Sequence, residues 1–410
     1  MKDGWIMGAD GNKSEPDNGL SPDLQALIWM AKLASDNEAA SVVAPEIERL
    51  AKLGESVDLF WWNLSKCAAR HGMTPFLNQL LKSIHIESAP REVRSATQES
   101  ASAIIQYNLL ATAGLVRILS DFEKEGIFVI PIKGPALAWL LYRDISLREF
   151  SDLDLLIDRG DISKASRILA AAGYGAELEL SPSQVKIFVK TENVLLFTHS
   201  ASGRLVELHW ELLPRYLAPP VDIQVFRERL TTVEPGGKEM KTFSREDMLI
   251  YLCGHGSKHH WEQVNWIVDV AALVNRAPEM DWDYVFEQAE RQRSERMLLL
   301  GLLIAREALG SRLPEKALDL LMRTPIISRL AEDVRGWLLL NPESSPGLLK
   351  RWIFYWRLRK RLSDKLKFAF LSIAAPNTVD WQYVDLPESL SSLYLFARPL
   401  RLFAGLARRQ

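Results

Sequence analysis

Two aspartates separated by one leucine, Asp152-Leu153-Asp154, open an apolar run that continues through Leu155, Leu156 and Ile157. Side chains alternate faces along a strand, so the two carboxylates point the same way, about 7 Å apart, while Leu153 and Leu155 point into a core. Like charges so close repel unless a cation sits between them, and a divalent metal is one common solution. A third acid follows in Arg204-Leu205-Val206-Glu207-Leu208-His209-Trp210. Alternation sets Leu205, Glu207 and His209 on one face and Val206, Leu208 and Trp210 on the other. A buried Glu in an apolar run needs a partner or a metal; the plainer alternative is a half-exposed strand whose polar face carries Glu207 and His209.

Upstream, Lys133-Gly134 supplies a turn that lets a phosphate approach closely and a cation to meet it. Arg148, four residues before Asp152, can pair with a phosphate or with the acids. Either cation also reads as an ordinary solvated loop residue. Three carboxylates on neighbouring strands beside a glycine turn suit Mg²⁺-assisted phosphoryl chemistry: magnesium prefers a few carboxylates plus phosphate oxygens and waters, and neutralises the charge of a triphosphate. Further on, His255 and His259 stand at i,i+4 with Lys258 between them. That spacing is compatible with zinc, but the intervening residues are Gly256, Ser257 and Lys258, with no glutamate for an HExxH metalloprotease. The alternative is a polar helix face hydrogen-bonded to Asp269 and neighbouring loops. His71 and His85 stand alone, without ligand-like neighbours.

These residues need strands to carry the acids and helices to frame them. Apolar spacing is helical at 24–33, after Ser21-Pro22, and again through 47–71 as one run ended by Gly72. Thr74-Pro75 opens another helix, and 91–125 reads as one long helix. Strand-like runs then fall at 127–132, 153–157, 185–190, 193–198 and 204–210, with helices at 135–142 and 162–172 and Gly173 as a stop. Pro131 in the first run implies an edge position or a bulge. From Ser244 the pattern is helical again: Ser244-Arg245-Glu246-Asp247 resembles a capping box, and helices follow at 261–274, 298–309 and 317–321. Strands interleaved with helices imply a small mixed core, so the expected class is α+β. The expected regions are a disordered lead-in (1–22), an N-terminal helical region (23–125), the α/β core (126–243), a helical domain (244–345) and a basic-aromatic C-terminal region (346–410).

With 410 residues and 48% hydrophobic content, the chain can bury a sizeable core. Its net charge of −2 is uneven: residues 350–410 hold twelve Lys and Arg against four Asp and Glu. That asymmetry points to a basic docking face, a peripheral membrane or partner contact, while the acidic remainder and the lack of a reader module argue against nucleic acid. Two cysteines, Cys67 and Cys253, support no disulfide framework, and the expectation is a reducing cytoplasm. No run of apolar residues approaches a membrane span on inspection, and the N-terminus lacks the pattern of a signal peptide.

Taken in order, Lys133-Gly134, Arg148, Ser151-Asp152-Leu153-Asp154-Leu155-Leu156 and Val206-Glu207-Leu208-His209-Trp210 resemble the nucleotidyltransferase superfamily that includes DNA polymerase beta. More closely, they resemble the uncharacterised nucleotidyltransferase family of bacteria, as do Ala69-Arg70-His71-Gly72-Met73-Thr74-Pro75 and the helical stretch from His255 to Trp261 with Asp269. The resemblance implies Mg²⁺-dependent transfer of a nucleotidyl group from an NTP to a small-molecule, sugar or carrier acceptor, in polysaccharide or natural-product assembly. It implies that Asp152 and Asp154 bind metal, that Glu207 is the third acid, and that Lys133, Gly134, Arg148, His255 and Lys258 face the nucleotide. Two features differ from the superfamily: Lys133-Gly134-Pro135 stands where Gly-Ser or Gly-Gly is usual, and Asp152 comes 18 residues after Gly134. The altered turn keeps a catalytically silent nucleotide-binding module in view, and the charge asymmetry a membrane- or partner-docking scaffold.

Overall fold

The computed structural model describes residues 21–374, apart from 37–39, 54–55, 84–85, 87, 179–181, 278 and 339–345. His85, most of the expected lead-in and the closing basic-aromatic stretch fall outside the described residues. The chain begins with α1 (Pro22–Asp36), α2 (Ala40–Leu53), α3 (Val57–Arg70), α4 (Thr74–Ser83) and the long α5 (Arg91–Lys124). The single helical run expected over 47–71 is two helices; Ser56 starts the second by accepting the Leu59 N–H on its hydroxyl.

The middle region alternates strands and helices: β1 (Val129–Pro131), α6 (Gly134–Tyr142), β2 (Asp152–Ile157), α7 (Ile162–Ala171), β3 (Tyr174–Ala176), α8 (Pro182–Thr191), β4 (Val194–His199) and β5 (Leu205–His209). The five strands form one sheet in the order β1-β2-β5-β4-β3. β2 and β5 run parallel; every other neighbouring pair is antiparallel. Pro131 lies on the edge strand, where its missing N–H costs no ladder bond, and its carbonyl accepts the Thr242 hydroxyl at 2.7 Å. The strand expected at 185–190 is instead helix α8. Its β-branched composition suggested a strand, but Pro182 sits at the first helical position, which tolerates a missing N–H, and tertiary packing decides the rest. The three-residue β3 was too short to show a period, as were the strands of the hairpin β6 (Thr231–Val233) and β7 (Met240–Thr242).

The chain closes with helices α9 (Arg245–Lys258), α10 (Val264–Asn275), α11 (Trp282–Arg291), α12 (Glu295–Leu309), α13 (Glu315–Met322), α14 (Ile326–Leu338), α15 (Leu348–Leu358) and α16 (Leu362–Ala374). Ser244 caps α9 by accepting the Asp247 N–H, and its hydroxyl donates to the Asp247 carboxylate at 3.1 Å. Trp261 does not start α10 as expected. It lies with His260 in a left-handed turn (φ 56° and 58°), a strained conformation for residues with side chains. The turn persists because the Trp261 indole is wholly buried in a slot over two glycines; a Cβ on Gly256 would come within 2.6 Å of the ring.

α1 packs on α10 and α12, so the helical ends of the chain meet, and one connected hydrophobic cluster runs from Leu24 to Leu358 through the expected regions. The protein is thus α+β, a mixed sheet flanked by N- and C-terminal helices. One expectation about α5 is corrected: by length and composition this helix is apolar enough to cross a membrane. Scattered polar residues hide that on inspection, whereas the physical requirement is few charges over the span. In this fold α5 packs against α3, α4, α6 and α7 and buries Asn108 and Thr112 as well as Leu115 and Phe122.

Candidate active site

The acids are placed by the parallel pairing of β2 with β5. Leu153 and Leu155 are buried as the alternation requires, and the register sets Asp154 beside Glu207 and Leu156 beside His209. His209 extends from the same face as Glu207, and its Nε2 lies 3.1 Å from the Glu207 carboxylate and 3.2 Å from Asp154 Oδ1. Asp154, Glu207 and His209 offer ligand atoms within 4.8 Å of one another, the one such metal-compatible group among the described residues. The Asp154 side chain is fully buried whereas that of Glu207 is 24% exposed.

The Lys-Gly turn meets the start of β2 from its other edge, across the pairing with β1. Ile132 N–H donates to the Asp154 carbonyl at 2.9 Å, extending the β1–β2 ladder by one bond. Gly134 then turns with φ 56°, and a Cβ there would lie 3.3 Å from the Asp152 carbonyl. Its glycine identity serves this close approach of turn to strand. The turn leaves Lys133 buried, with Nζ 2.8 Å from Asp154 Oδ1. Burial alone would raise the Asp154 carboxyl, but Lys133 and His209 hold it well below the usual carboxylate range. Burial likewise opposes charge on Lys133, and the Asp154 carboxylate more than restores it. His209 is raised by its two acid partners against the effect of burial, and Glu207 is lowered by His209 in the same way. Asp152 is different. Half-buried and lacking such a partner, its carboxyl is pushed up to about 6 by burial and by the charge of Asp154. Asp154 Oδ2 is buried without a hydrogen-bond partner.

Arg148 is not free to meet the strand acids or a phosphate. It is buried, and its guanidinium donates three bonds of 2.9–3.2 Å to both oxygens of Asp269 on α10. Burial works against the Arg148 charge, and Asp269 restores it. The loop carrying Arg148 is also pinned by α5: Asn108 Nδ2 donates to the Ile145 and Arg148 carbonyls at 2.7 and 2.9 Å, and the Tyr107 hydroxyl to the Ser151 carbonyl. Asp152 therefore leaves a fixed loop. Asp269 serves Arg148 rather than the α9 histidines.

On α9, Tyr251, His255, Lys258 and His259 share one face. His255 and His259 pack 4.7 Å apart between ring centroids, each against Trp266 at 5.3 and 5.4 Å. Burial, reinforced by nearby Lys133 and Lys258, lowers both histidines, His259 to about 3, so they are neutral aromatic surfaces at neutral pH. Burial also lowers Lys258, partly offset by the charge of Glu207. Tyr251 is raised by burial, with Lys133 and the three acids among its electrostatic neighbours. The α9 face thus looks toward the acids. His209 and Tyr251 were not marked as site residues by sequence reasoning. Alternation had already put His209 beside Glu207, and Tyr251 is one helical turn before His255, so both signals were present.

A mixed sheet that presents acids from two parallel neighbouring strands, next to a Lys-Gly turn and a helical wall, defines a nucleotidyltransferase-type core. The chain belongs to the uncharacterised nucleotidyltransferase family, whose profile matches residues 58–310. That span contains every site residue from Lys133 to Asp269 and ends before α13. No curated protein matches the chain. Two solved structures show similarity. The antibiotic-resistance factor ANT(2'')-Ia, in solution, is 12% identical over 54% of this chain and 89% of its own, with a TM-score of 0.24. An antigenic nucleotidyltransferase-like protein from Paracoccidioides brasiliensis is 16% identical over 57% of this chain and 92% of its own, with a TM-score of 0.29.

Proposed function

We propose that this protein is a Mg²⁺-dependent enzyme that moves a nucleotidyl group from an NTP to a hydroxyl of a small-molecule, sugar or carrier acceptor. The observation that carries this reading is the open half of the acid cluster: Asp154 Oδ2 is buried and unpartnered beside a carboxyl, Asp152, that is pushed up to about 6. Both features fit a divalent cation held by oxygens of Asp152, Asp154 and Glu207, the donor type magnesium prefers. When bound, magnesium supplies charge neutralisation for the triphosphate and the departing pyrophosphate. In the reaction, the acceptor hydroxyl oxygen bonds to the α-phosphorus as the bond from that phosphorus to the bridging oxygen breaks. That oxygen leaves with pyrophosphate, and the hydroxyl proton passes to water or to the departing pyrophosphate. Lys133 holds Asp154 ionised and oriented. Glu207, itself held low by His209, is better suited to a cation than to taking a proton. Lys258 and the neutral His255 face the nucleotide from α9. His209 fixes both acids through one nitrogen.

A second reading is favoured by one fact: Lys133 is buried and paired with Asp154, which leaves the turn without the free phosphate cation its sequence suggested. On that reading the protein binds a nucleotide without turning it over.

The deciding experiment measures pyrophosphate release and thermal shift with each NTP and Mg²⁺, in wild type, Asp152→Asn and the double variant Asp152→Asn/Asp154→Asn. The enzyme reading expects release that drops by about 10³-fold or more without the carboxylates, on the scale of losing an electrostatic group essential to the transition state. Saturable NTP binding without release under any acceptor supports the binding module. A wild-type Mg²⁺–NTP shift matched by a folded double variant overturns the metal assignment.

A further inference from the structure

Outside the family-matched span, α16 shows an inverted solvent face. A surface helix normally turns its charged side outward, but Leu362, Leu366 and Phe370 are 66%, 58% and 60% exposed. At i, i+4 and i+8 they make one stripe along the outside of the helix. Lys365 and Lys367 lie roughly 100° to either side of the stripe's centre at 100° per residue. The helix is fixed in this orientation from within. Phe368 is buried on the opposite side, against Trp352 at 5.4 Å and under the guanidinium of Arg359 at 3.9 Å. Arg359 itself is buried and donates to the Tyr216 and Tyr355 carbonyls, and Asp364 is bridged to Arg293. The stripe is therefore a held surface, not a frayed end.

Exposed apolar residues concentrate in this part of the molecule. Six of the fifteen large exposed hydrophobics among the described residues lie between 348 and 370, including Leu348 and Leu349 at the start of α15. The cations here are also in excess: α15, α16 and their connection hold eight Lys and Arg against one acid, Asp364. Among the described residues, Lys350, Arg361, Lys365 and Lys367 have no acid bridged to them. Pairing the stripe with a second copy by two-fold symmetry would set these lysines against their own equivalents. An anionic lipid surface instead accepts the leucines and phenylalanine among its acyl chains while the lysine heads remain at the headgroup level.

We propose that α15–α16 is a docking surface for an anionic lipid bilayer, with Leu362, Leu366 and Phe370 inserted and Lys365 and Lys367 at the headgroups. This surface is separate from the acid cluster and does not depend on its chemistry. The test is cosedimentation of the full chain with vesicles of phosphatidylglycerol mixed with phosphatidylcholine, against vesicles of phosphatidylcholine alone. Wild type should bind the anionic vesicles, more weakly as salt rises. Lys365→Glu/Lys367→Glu should lower partitioning about tenfold or more, and Leu362→Ser/Leu366→Ser/Phe370→Ser roughly 100-fold. Both variants change exposed side chains, so unchanged melting curves establish that they are folded. Failure of wild type to bind, equal binding to neutral vesicles, or undiminished binding by the folded triple variant each overturns the proposal. So does a wild-type dimer that Phe370→Ser disperses in the absence of lipid.

Discussion

Two buried ion pairs flank the start of β2, and they differ in how completely each is closed. Arg148 and Asp269 satisfy one another: both carboxylate oxygens are engaged and the pair joins the loop before β2 to α10. Lys133 and Asp154 are equally buried, yet one oxygen of Asp154 has no partner and a second, unbridged carboxyl stands two residues away. A closed pair contributes rigidity and a defined arrangement of segments; an open one keeps residual negative charge in a low-dielectric place, where it attracts a cation. The closed pair is thus the frame and the open pair the working part of the same region.

The largest effect on stability comes from the frame. Asp269→Asn leaves the Arg148 charge buried and unpaired, and should cost about 3–5 kcal/mol, read from chemical denaturation, with no recovery when Mg²⁺ is added. Lys133→Met also breaks a buried pair, but His209 still reaches Asp154, so the expected loss is smaller, about 2–3 kcal/mol. Here Mg²⁺ should return part of it, because a cation at the open acids takes over the role of the ammonium. Equal responses of the two variants to Mg²⁺ would erase the difference between the pairs.

The two pairs were not equally legible in the sequence. Strand alternation marks Asp152, Asp154 and Glu207 from local pattern alone, and it puts His209 on the Glu207 face. That β2 and β5 are parallel neighbours is not local: α7, β3, α8 and β4 lie between them, and only the completed sheet sets Asp154 beside Glu207. Arg148 and Asp269 are 121 residues apart, and nothing in either neighbourhood specifies the other. A Lys-Gly turn has the chemistry of a phosphate cation, but the partner of Lys133 depends on the turn folding back onto the β2 backbone. The α8 segment departs from its strand-like pattern for a related reason, since β-branched residues report a preference that packing readily overrides.

The smallest expected effect is also the most direct probe of the open pair. The Asp152 carboxyl is pushed up to about 6 by burial and by Asp154, above the roughly 4 of an unfolded aspartate. Between those values the unfolded chain loses its proton first, so raising the pH favours unfolding. Stability from this group is full below about 4 and is lost as the pH passes about 6. Asp152→Asn removes the ionisation. In the presence of a chelator, the variant should therefore gain on wild type as the pH rises from 4 to 7, by about 1 kcal/mol after allowance for the partial exposure of the side chain. Mg²⁺ should reverse the order at pH 7, because the ionised wild-type site binds it and the amide does not. Thermal melts of both proteins across that range check the sign. A wild type whose melting temperature tracks the variant's at every pH, with and without Mg²⁺, would mean that Asp152 faces no unrelieved charge and that the cluster is as closed as the Arg148–Asp269 pair.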